Sequence, residues 1–298
     1  MYPFGGTMMA SKNGRHGPVL LVFAHPDDEA FGCAGSIAAL SEDNVPVVLV
    51  TATRGEAGEI SSARLATPTT IGAVREMELR AAMALIGVDD VRFLGYRDSG
   101  MDGTPENDDA RSLHKAPFDE VVAQVTAQIR DLQPEAVITF GVDGVYGHPD
   151  HIAIHHATVA AVKAAADDRQ PTGLGAPWQV PALYFTAVPR ERIQAMSQRS
   201  DGPFRHMSEE QLAKLGTPAE DITTRVDVSP YRSLKERVIQ AHQTQVGEGG
   251  PMADMPREQV EAFLSLESFA KAPLPWDDET ATVSNPVDAM AARHVPST

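Results

Sequence analysis

An α/β fold with a mostly parallel sheet is what this sequence predicts, on three observations. Short apolar runs, mostly β-branched, recur along the chain; amphipathic helical patterns separate them; and charged clusters stand directly behind two of the runs. Strands of βαβ units are covered on both faces, so they read as near-continuous apolar stretches rather than alternating ones.

In chain order, the run 19–23 (VLLVF) reads as the first strand and 30–40 as the helix behind it. The run 46–51 reads as the second strand. A helix is predicted over 73–86, where Val74, Met77, Ala81 and Leu85 share one stripe, and a third strand over 91–94. A second clear helical period covers 118–132, with Val121, Val122, Val125 and Ile129 on its apolar side, ahead of a fourth strand at 136–140. Residues 166–177 (ADDRQPTGLGAP) read as a surface loop. Beyond it the pattern predicts a strand within 180–188, short helices at 192–199 and 209–215, and longer ones at 233–245 and 257–270. The fold class is therefore α/β, Rossmann-like, with helices on both faces and a decorated C-terminal region. A catalytic core is expected over 18–165, a substrate-shaping extension of the same domain over 178–274, and disordered tails at 1–17 and 275–298.

Composition narrows the function. With 298 residues and 42% apolar content the chain can bury a large core, and its formal charge of −16 argues against a partner with a phosphate backbone. One cysteine, Cys33, excludes an intrachain disulfide and fits a reducing compartment. The first 18 residues hold Lys12, Arg15 and His16 but no apolar segment of signal-peptide type, and no stretch is long and apolar enough to cross a membrane. A cytoplasmic protein acting on a small molecule is expected, with neither membrane nor nucleic acid as partner; association into homo-oligomers stays open.

The chemistry lies in the two clusters. His25-Pro26-Asp27-Asp28-Glu29 follows the first strand, and Gly147-His148-Pro149-Asp150-His151 follows the fourth on a glycine-rich turn. In doubly wound sheets, ligands collect at the carboxyl ends of strands, so the loops after different strands face one another there. Two histidines and a carboxylate leave a coordination position open for water, the composition of a hydrolytic zinc site, and a cation would make so much acid tolerable beside a buried strand. Each cluster alone also reads as a capped turn, Asp27 or Asp28 serving one helix and Asp150 the other. His155, four residues beyond His151, has ligand spacing but reads better as a packing residue behind the site. Glu29 and Glu56 read as supporting acids, Cys33 as a small core residue, and His242 has no assigned role.

The motifs AHPDDE and GHPDH, with TRGEAGE at 53–59 and Arg75-Glu76 on a long helix, resemble the LmbE/PIG-L family of zinc-dependent N-acetylglucosaminyl deacetylases and amidases. The resemblance spans about residues 18–165. GYRDSGM and GVYGHPDHIAIHH are most similar to the branch of the family in mycothiol metabolism. It implies that His25, Asp28 and His151 ligate Zn2+, with Fe2+ also suited to the set, and that Asp27 is the general base. His148, held by Asp150 through its other ring nitrogen and so kept charged, would stabilise the oxyanion or protonate the leaving amine. Arg75 and Asp98 would bind hydroxyls of an amino-sugar substrate, with Tyr146 near the carbonyl. The implied reaction is hydrolysis of an acetamide. Mycothiol S-conjugate amidase action, or deacetylation of another glycan or antibiotic pseudosaccharide, is the alternative within the class; a metal-dependent phosphoesterase and a non-catalytic sugar-binding protein are the alternatives outside it.

Overall fold

The strands and helices follow one another as β1 (Val19–Phe23), α1 (Asp28–Glu42), β2 (Val47–Thr51), α2 (Ile71–Leu85), β3 (Asp90–Phe93), α3 (Phe118–Leu132), β4 (Ala136–Phe140), α4 (Gly144–Gly147), α5 (Pro149–Ala166) and β5 (Leu183–Thr186). The C-terminal part adds α6 (Arg190–Ser197), α7 (Glu209–Leu212), β6 (Thr224–Asp227), α8 (Arg232–Ala241), α9 (Gln243–Val246), α10 (Arg257–Ser265), β7 (Leu266–Ala272) and α11 (Pro286–Arg293). The computed structural model describes residues 16–169, 175–197, 204, 207–247, 252, 255–277 and 285–296. None of the described helices is long and apolar enough to cross a membrane.

Seven strands form one sheet in the order β3-β2-β1-β4-β5-β7-β6. Pairing is parallel from β3 through β5, and antiparallel where β7 joins β5 and β6. All five residues of each of β1, β2 and β4 are buried, which is why these strands are uniformly apolar. The chain winds outward from β1 through β2 to β3, then returns to lay β4 on the other side of β1. Right-handed crossovers therefore put α1 and α2 on one face and α3 and α5 on the other. α8 packs on both α1 and α2, and α3 packs on α5. The reversal of winding opens a crevice between the carboxyl ends of β1 and β4, where the two charged clusters emerge.

Helix α1 is not continuous. Cys33 lies outside helical geometry (φ −155°, ψ 17°), which frees the amides beyond it, and Gly35 and Ser36 donate to the two carboxylate oxygens of Glu267 on β7 at 2.9 and 2.8 Å. Glu267 is in turn paired with Lys235 of α8 at 2.8 Å, both side chains 1% exposed. A buried ion pair thus caps the second half of α1, its carboxylate 231 and 232 residues away in the sequence, and replaces the hydrogen bonds that the break removes.

The C-terminal part departs most from expectation. The helix predicted over 257–270 ends at Ser265, and Leu266–Ala272 is strand β7, because Glu267 and Phe269 are drawn into the sheet between β5 and β6. Strand β6 was not anticipated at all. The helix predicted over 233–245 breaks at His242 (φ −84°, ψ 59°) into α8 and α9. The tail expected at 275–298 contains α11, whose Val287 and Met290 are buried and whose Asn285 caps its own helix. Of the other expected tail, residues 1–15 lie outside the described residues; the Gly17 amide donates to Glu135 at 2.8 Å.

Candidate metal and active site

β1 ends at Phe23 and the chain turns sharply at Asp27, which adopts left-handed geometry (φ 98°) one residue ahead of α1. That turn lets Asp28 fold back over the strand end, where its Oδ2 accepts the amides of His25 at 2.7 Å and Ala24 at 3.2 Å. Its Oδ1 lies 3.3 Å from His151 Nε2. On the facing loop, Gly144 and Val145 both take positive φ (59° and 69°). A Cβ on Gly144 would stand 3.0 Å from that of His151, so this close approach requires glycine. Pro149 then starts α5, with His148 as its cap and Asp150 and His151 in its first turn.

The partner on one nitrogen of each histidine decides what the other can do. His151 Nδ1 is 3.0 Å from the Gly144 carbonyl, which requires a proton there and leaves Nε2 as a lone-pair donor. His25 Nε2 lies 3.2 Å from Asp150 and 3.4 Å from Asp98, which leaves Nδ1 as the lone-pair donor when the ring is neutral. His148 is the reverse: its Nδ1 accepts the Asp150 amide at 3.1 Å, so Nε2 carries the hydrogen and can only donate. The two free lone pairs, His25 Nδ1 and His151 Nε2, are 3.2 Å apart, and the Asp28 carboxylate stands 3.7 Å from the first through Oδ2 and 3.3 Å from the second through Oδ1. Ligand atoms about 2.0–2.2 Å from a tetrahedral ion are about 3.3–3.6 Å from one another, so this trio fits a metal. Among the described residues two other sets lie within 4.8 Å, His25 with His148 and His151, and His25 with Asp98 and Asp150. The first includes a donor-only ring. In the second, both carboxylates already accept hydrogen bonds: Asp150 from Ser99 through its amide (2.9 Å) and hydroxyl, Asp98 from the amides of Gly100 (2.8 Å) and Ala57 (3.2 Å).

The charges respond to this crowding. Burial pushes the Asp27 carboxyl up to about 6, opposed by the Arg75 guanidinium and supported by the Asp28 charge. Burial also works to raise Asp28, but the His151 and His25 rings and the His25 amide hold it at about 2. His25 resists burial because Asp98, Asp150 and Asp28 surround it, and its pKa is raised well above the usual imidazole range. Burial pushes the Tyr146 hydroxyl well above its ordinary value, with Asp28 and Asp27 adding to the shift.

All nine residues singled out in the sequence come together, but two do so differently from expectation. Asp150 holds His25 rather than His148, because the helix start turns its amide, not its carboxylate, toward His148. His148 is not kept charged: burial and the neighbouring His25 and His151 rings push it down to about 3. Arg75 is buried and donates to the carbonyls of Pro26 (2.6 Å) and Gly55 (2.9 Å), with Asp27 Oδ2 at 3.4 Å. Asp98 is likewise committed to His25 and two amides. Tyr146 is half-buried, its ring edge-on to His148 and His151 at 5.9 and 5.1 Å. His155 bonds the Phe140 carbonyl at 2.8 Å and packs against Phe185, as a residue behind the site does.

Three further groups belong to the site. Ser99 bridges Asp150 to the His114 amide at 2.9 Å. Glu29 and His242 form a fully buried pair at 2.9 Å, and the other Glu29 oxygen accepts the Asp27 amide at 3.1 Å. The sequence offered a signal for Glu29, an acid at the helix start beside Asp28, and for His242 only its place in AHQTQ, which assigns it no role.

A doubly wound α/β sheet with a buried His/Asp cluster able to hold a metal ion at its switch point defines the class of this protein. Comparison with known proteins narrows it. The family described as GlcNAc-PI de-N-acetylase, PIG-L, matches residues 20–162. The chain is 39% identical over 263 residues to a 1D-myo-inositol 2-acetamido-2-deoxy-alpha-D-glucopyranoside deacetylase of Thermobifida fusca, covering 84% of this chain and 91% of that one. It is 36% identical over 267 residues to the protein of the same description from Geodermatophilus obscurus, covering 84% and 90%. Among solved structures, the N,N'-diacetylchitobiose deacetylase of Pyrococcus horikoshii superposes with a TM-score of 0.61 at 20% identity over 86% of this chain and 84% of that one. A 4-carboxy-2-hydroxymuconate hydratase from Pseudomonas putida shares the fold at a TM-score of 0.56 and 18% identity, covering 89% of this chain and all of that one, so the fold by itself does not fix the chemistry. The chain belongs to the PIG-L family, the GlcNAc-PI de-N-acetylases. It is a deacetylase, a hydrolase of amide bonds.

Proposed function

We propose that this protein removes the acetyl group from an N-acetylglucosaminyl unit joined to an inositol, with one divalent metal, Zn2+, held by His25, Asp28 and His151. The observation that carries the ligand set is the sorting of the three histidines by their hydrogen-bond partners, which aims two lone pairs and one carboxylate at a common point. Fe2+ suits the same donors. The substrate class rests on the two relatives of 36–39% identity, whose names specify that acetamide. The lone thiol, Cys33, is fully buried, which suits a cytoplasmic enzyme.

Bound at this site, the ion would supply Lewis acidity toward the amide carbonyl and acidify a water. The protein's own groups divide the remaining work. Asp27, next in sequence to the ligand Asp28 and 18% exposed at its side chain, takes the water proton, and a carboxyl at about 6 is mostly ionised at neutrality while being more basic than an ordinary carboxylate. His148, neutral and with hydrogen on Nε2, donates to the carbonyl oxygen as it gains charge. Asp98 and Asp150 fix the His25 ring and raise its basicity. Tyr146 borders the same space as a further donor.

The test is release of free amine and acetate from N-acetylglucosaminyl-inositol. Activity should vanish on dialysis against a chelator and return with one equivalent of Zn2+. Full turnover by protein shown by elemental analysis to be metal-free would refute the metal-dependent reading.

A further inference from the structure

We infer that Glu29 and His242 are positioning residues for the reaction: they hold Asp27 in the one backbone conformation that aims its carboxylate, and they do so from the C-terminal part of the chain. The inference rests on the reading of Asp27 as the base.

The φ of 98° at Asp27 lies in the left-handed region, which is unfavourable for an ordinary L-residue and persists only where the surroundings impose it. The Asp27 side chain does not cap α1, and Asp28 closes the turn on the amides of Ala24 and His25. Two further contacts hold it. Arg75 takes the Pro26 carbonyl on one side of the turn, at 2.6 Å. On the other, the Asp27 amide donates to Glu29 Oε2 at 3.1 Å, so the side chain two residues ahead holds the peptide that orients Asp27.

Glu29 could serve that amide with many neighbours or none, yet its second oxygen is fixed by His242 Nε2 at 2.9 Å, across a separation of 213 residues. Both side chains are fully buried. His242 interrupts the helical run between α8 and α9, a break whose effect is to deliver the ring to Glu29. Its Nδ1 has no hydrogen-bond partner among the described residues. Packing alone would favour an apolar side chain at such a position, because a buried imidazole with one nitrogen unsatisfied carries a desolvation cost. What the pair gains is a fixed Glu29 rotamer, and through it a fixed Asp27 amide. α9 is secured independently: Thr244 donates through its amide (2.9 Å) and hydroxyl (2.6 Å) to Glu78 of α2, so the His242 ring is held on a rigid support.

The experiment compares four variants of the metal-loaded enzyme on N-acetylglucosaminyl-inositol, with kcat, KM, bound metal and thermal midpoint measured on each. His242→Leu fills the space without the hydrogen bond and Glu29→Ala removes both links; each should lower kcat about 10–100-fold, the scale of a reacting group displaced by about 1 Å, with KM within about twofold and metal unchanged. Glu29→Gln keeps an oxygen for the Asp27 amide and should recover most of kcat. Asp27→Asn is the reference. If Asp27→Asn collapses while His242→Leu and Glu29→Ala retain kcat within about threefold, the positioning role is overturned and the base survives. Loss of metal, or a fall in thermal midpoint that Glu29→Gln shares with no recovery of kcat, likewise overturns it in favour of a purely structural pair. Should Asp27→Asn itself retain the rate, the reading of the base fails first and the inference with it. Where Glu29→Ala does not fold, His242→Leu decides.

Discussion

The parallel part of the sheet, β1 to β5, and its antiparallel edge, β7 and β6, differ in how they are specified. In the first, each strand pairs through a crossover helix with a neighbour close in sequence or at the switch point, and the predominantly apolar runs of β1, β2 and β4 announce it. In the second, β7 takes its place between β5 and β6 by contacts that its own residues, LESFAKA, do not advertise. Yet the C-terminal part that carries this edge reaches inward: Glu267 of β7 caps the broken helix α1, and His242, between α8 and α9, reaches Glu29 beside the two aspartates. The first region supplies the groups that react or bind metal; the second supplies their rigidity.

If that division holds, substitutions in the two regions should fail in different ways. The largest effect belongs to the ligands. His151→Ala should lose the metal and with it all measurable turnover, while Asp27→Asn should keep the metal and lose roughly two to four orders of magnitude in kcat; metal content and kcat on both variants check this, and the reverse pattern would exchange the roles of Asp27 and Asp28. The pH profile follows from the same carboxyl. With Asp27 raised to about 6 by burial, its base form is present above that pH and is protonated below it, so kcat/KM should fall about tenfold per unit on the acidic side. The Asp27→Asn residual rate should lack that limb.

Next in size is the buried pair at the antiparallel edge. Glu267→Ala leaves the buried Lys235 ammonium without its counter-charge, with only the Phe263 carbonyl to accept from it, and two α1 amides without partners, and should cost about 3–5 kcal/mol of stability by denaturant unfolding, with kcat per folded, metal-loaded molecule little changed. A large selective loss of kcat there would erase the distinction between the two regions. Gly35→Ala probes the same seam more gently. Its Cβ would meet Val228 at 2.5 Å, so either the helix or the segment after β6 must shift, for about 1–3 kcal/mol. The smallest effect is expected at Met77, 63% exposed on α2, where Met77→Lys should stay within about 0.5 kcal/mol and sharpen the baseline.

Much of the parallel half was legible because its physics is local. Strands β1 and β4 and helix α3 fall where their apolar periods place them, and the meeting of HPDDE with GHPDH follows from the strand ends that carry them. What the sequence does not carry is orientation. Asp150 lies beside His148 in the chain, yet its carboxylate serves His25; Arg75 and Asp98 are polar residues near a pocket, yet they hold the protein's own groups. Position along a chain limits which partners are within reach, and the rotamer selects among them only after the whole fold has closed. Leu266–Ala272 was unreadable for a related reason, since the segment is compatible with a helix until β5 and β6 offer it hydrogen bonds.

The Arg75 guanidinium has one more consequence, for the paths by which this sequence can change. A Cβ at Gly58 would stand 2.3 Å from Arg75 Nη1, and one at Gly55 2.2 Å from it, with Gly55 further confined by its positive φ of 67°. Position 58 can therefore accept a larger residue only after position 75 has become smaller. That first step removes the side chain gripping Pro26 and facing Asp27, so the intermediate is impaired before the second change can benefit from it. The TRGEAGE loop and α2 are thus bound by epistasis: Gly58→Ala should be harmful in the wild-type background and less so beside Arg75→Ala.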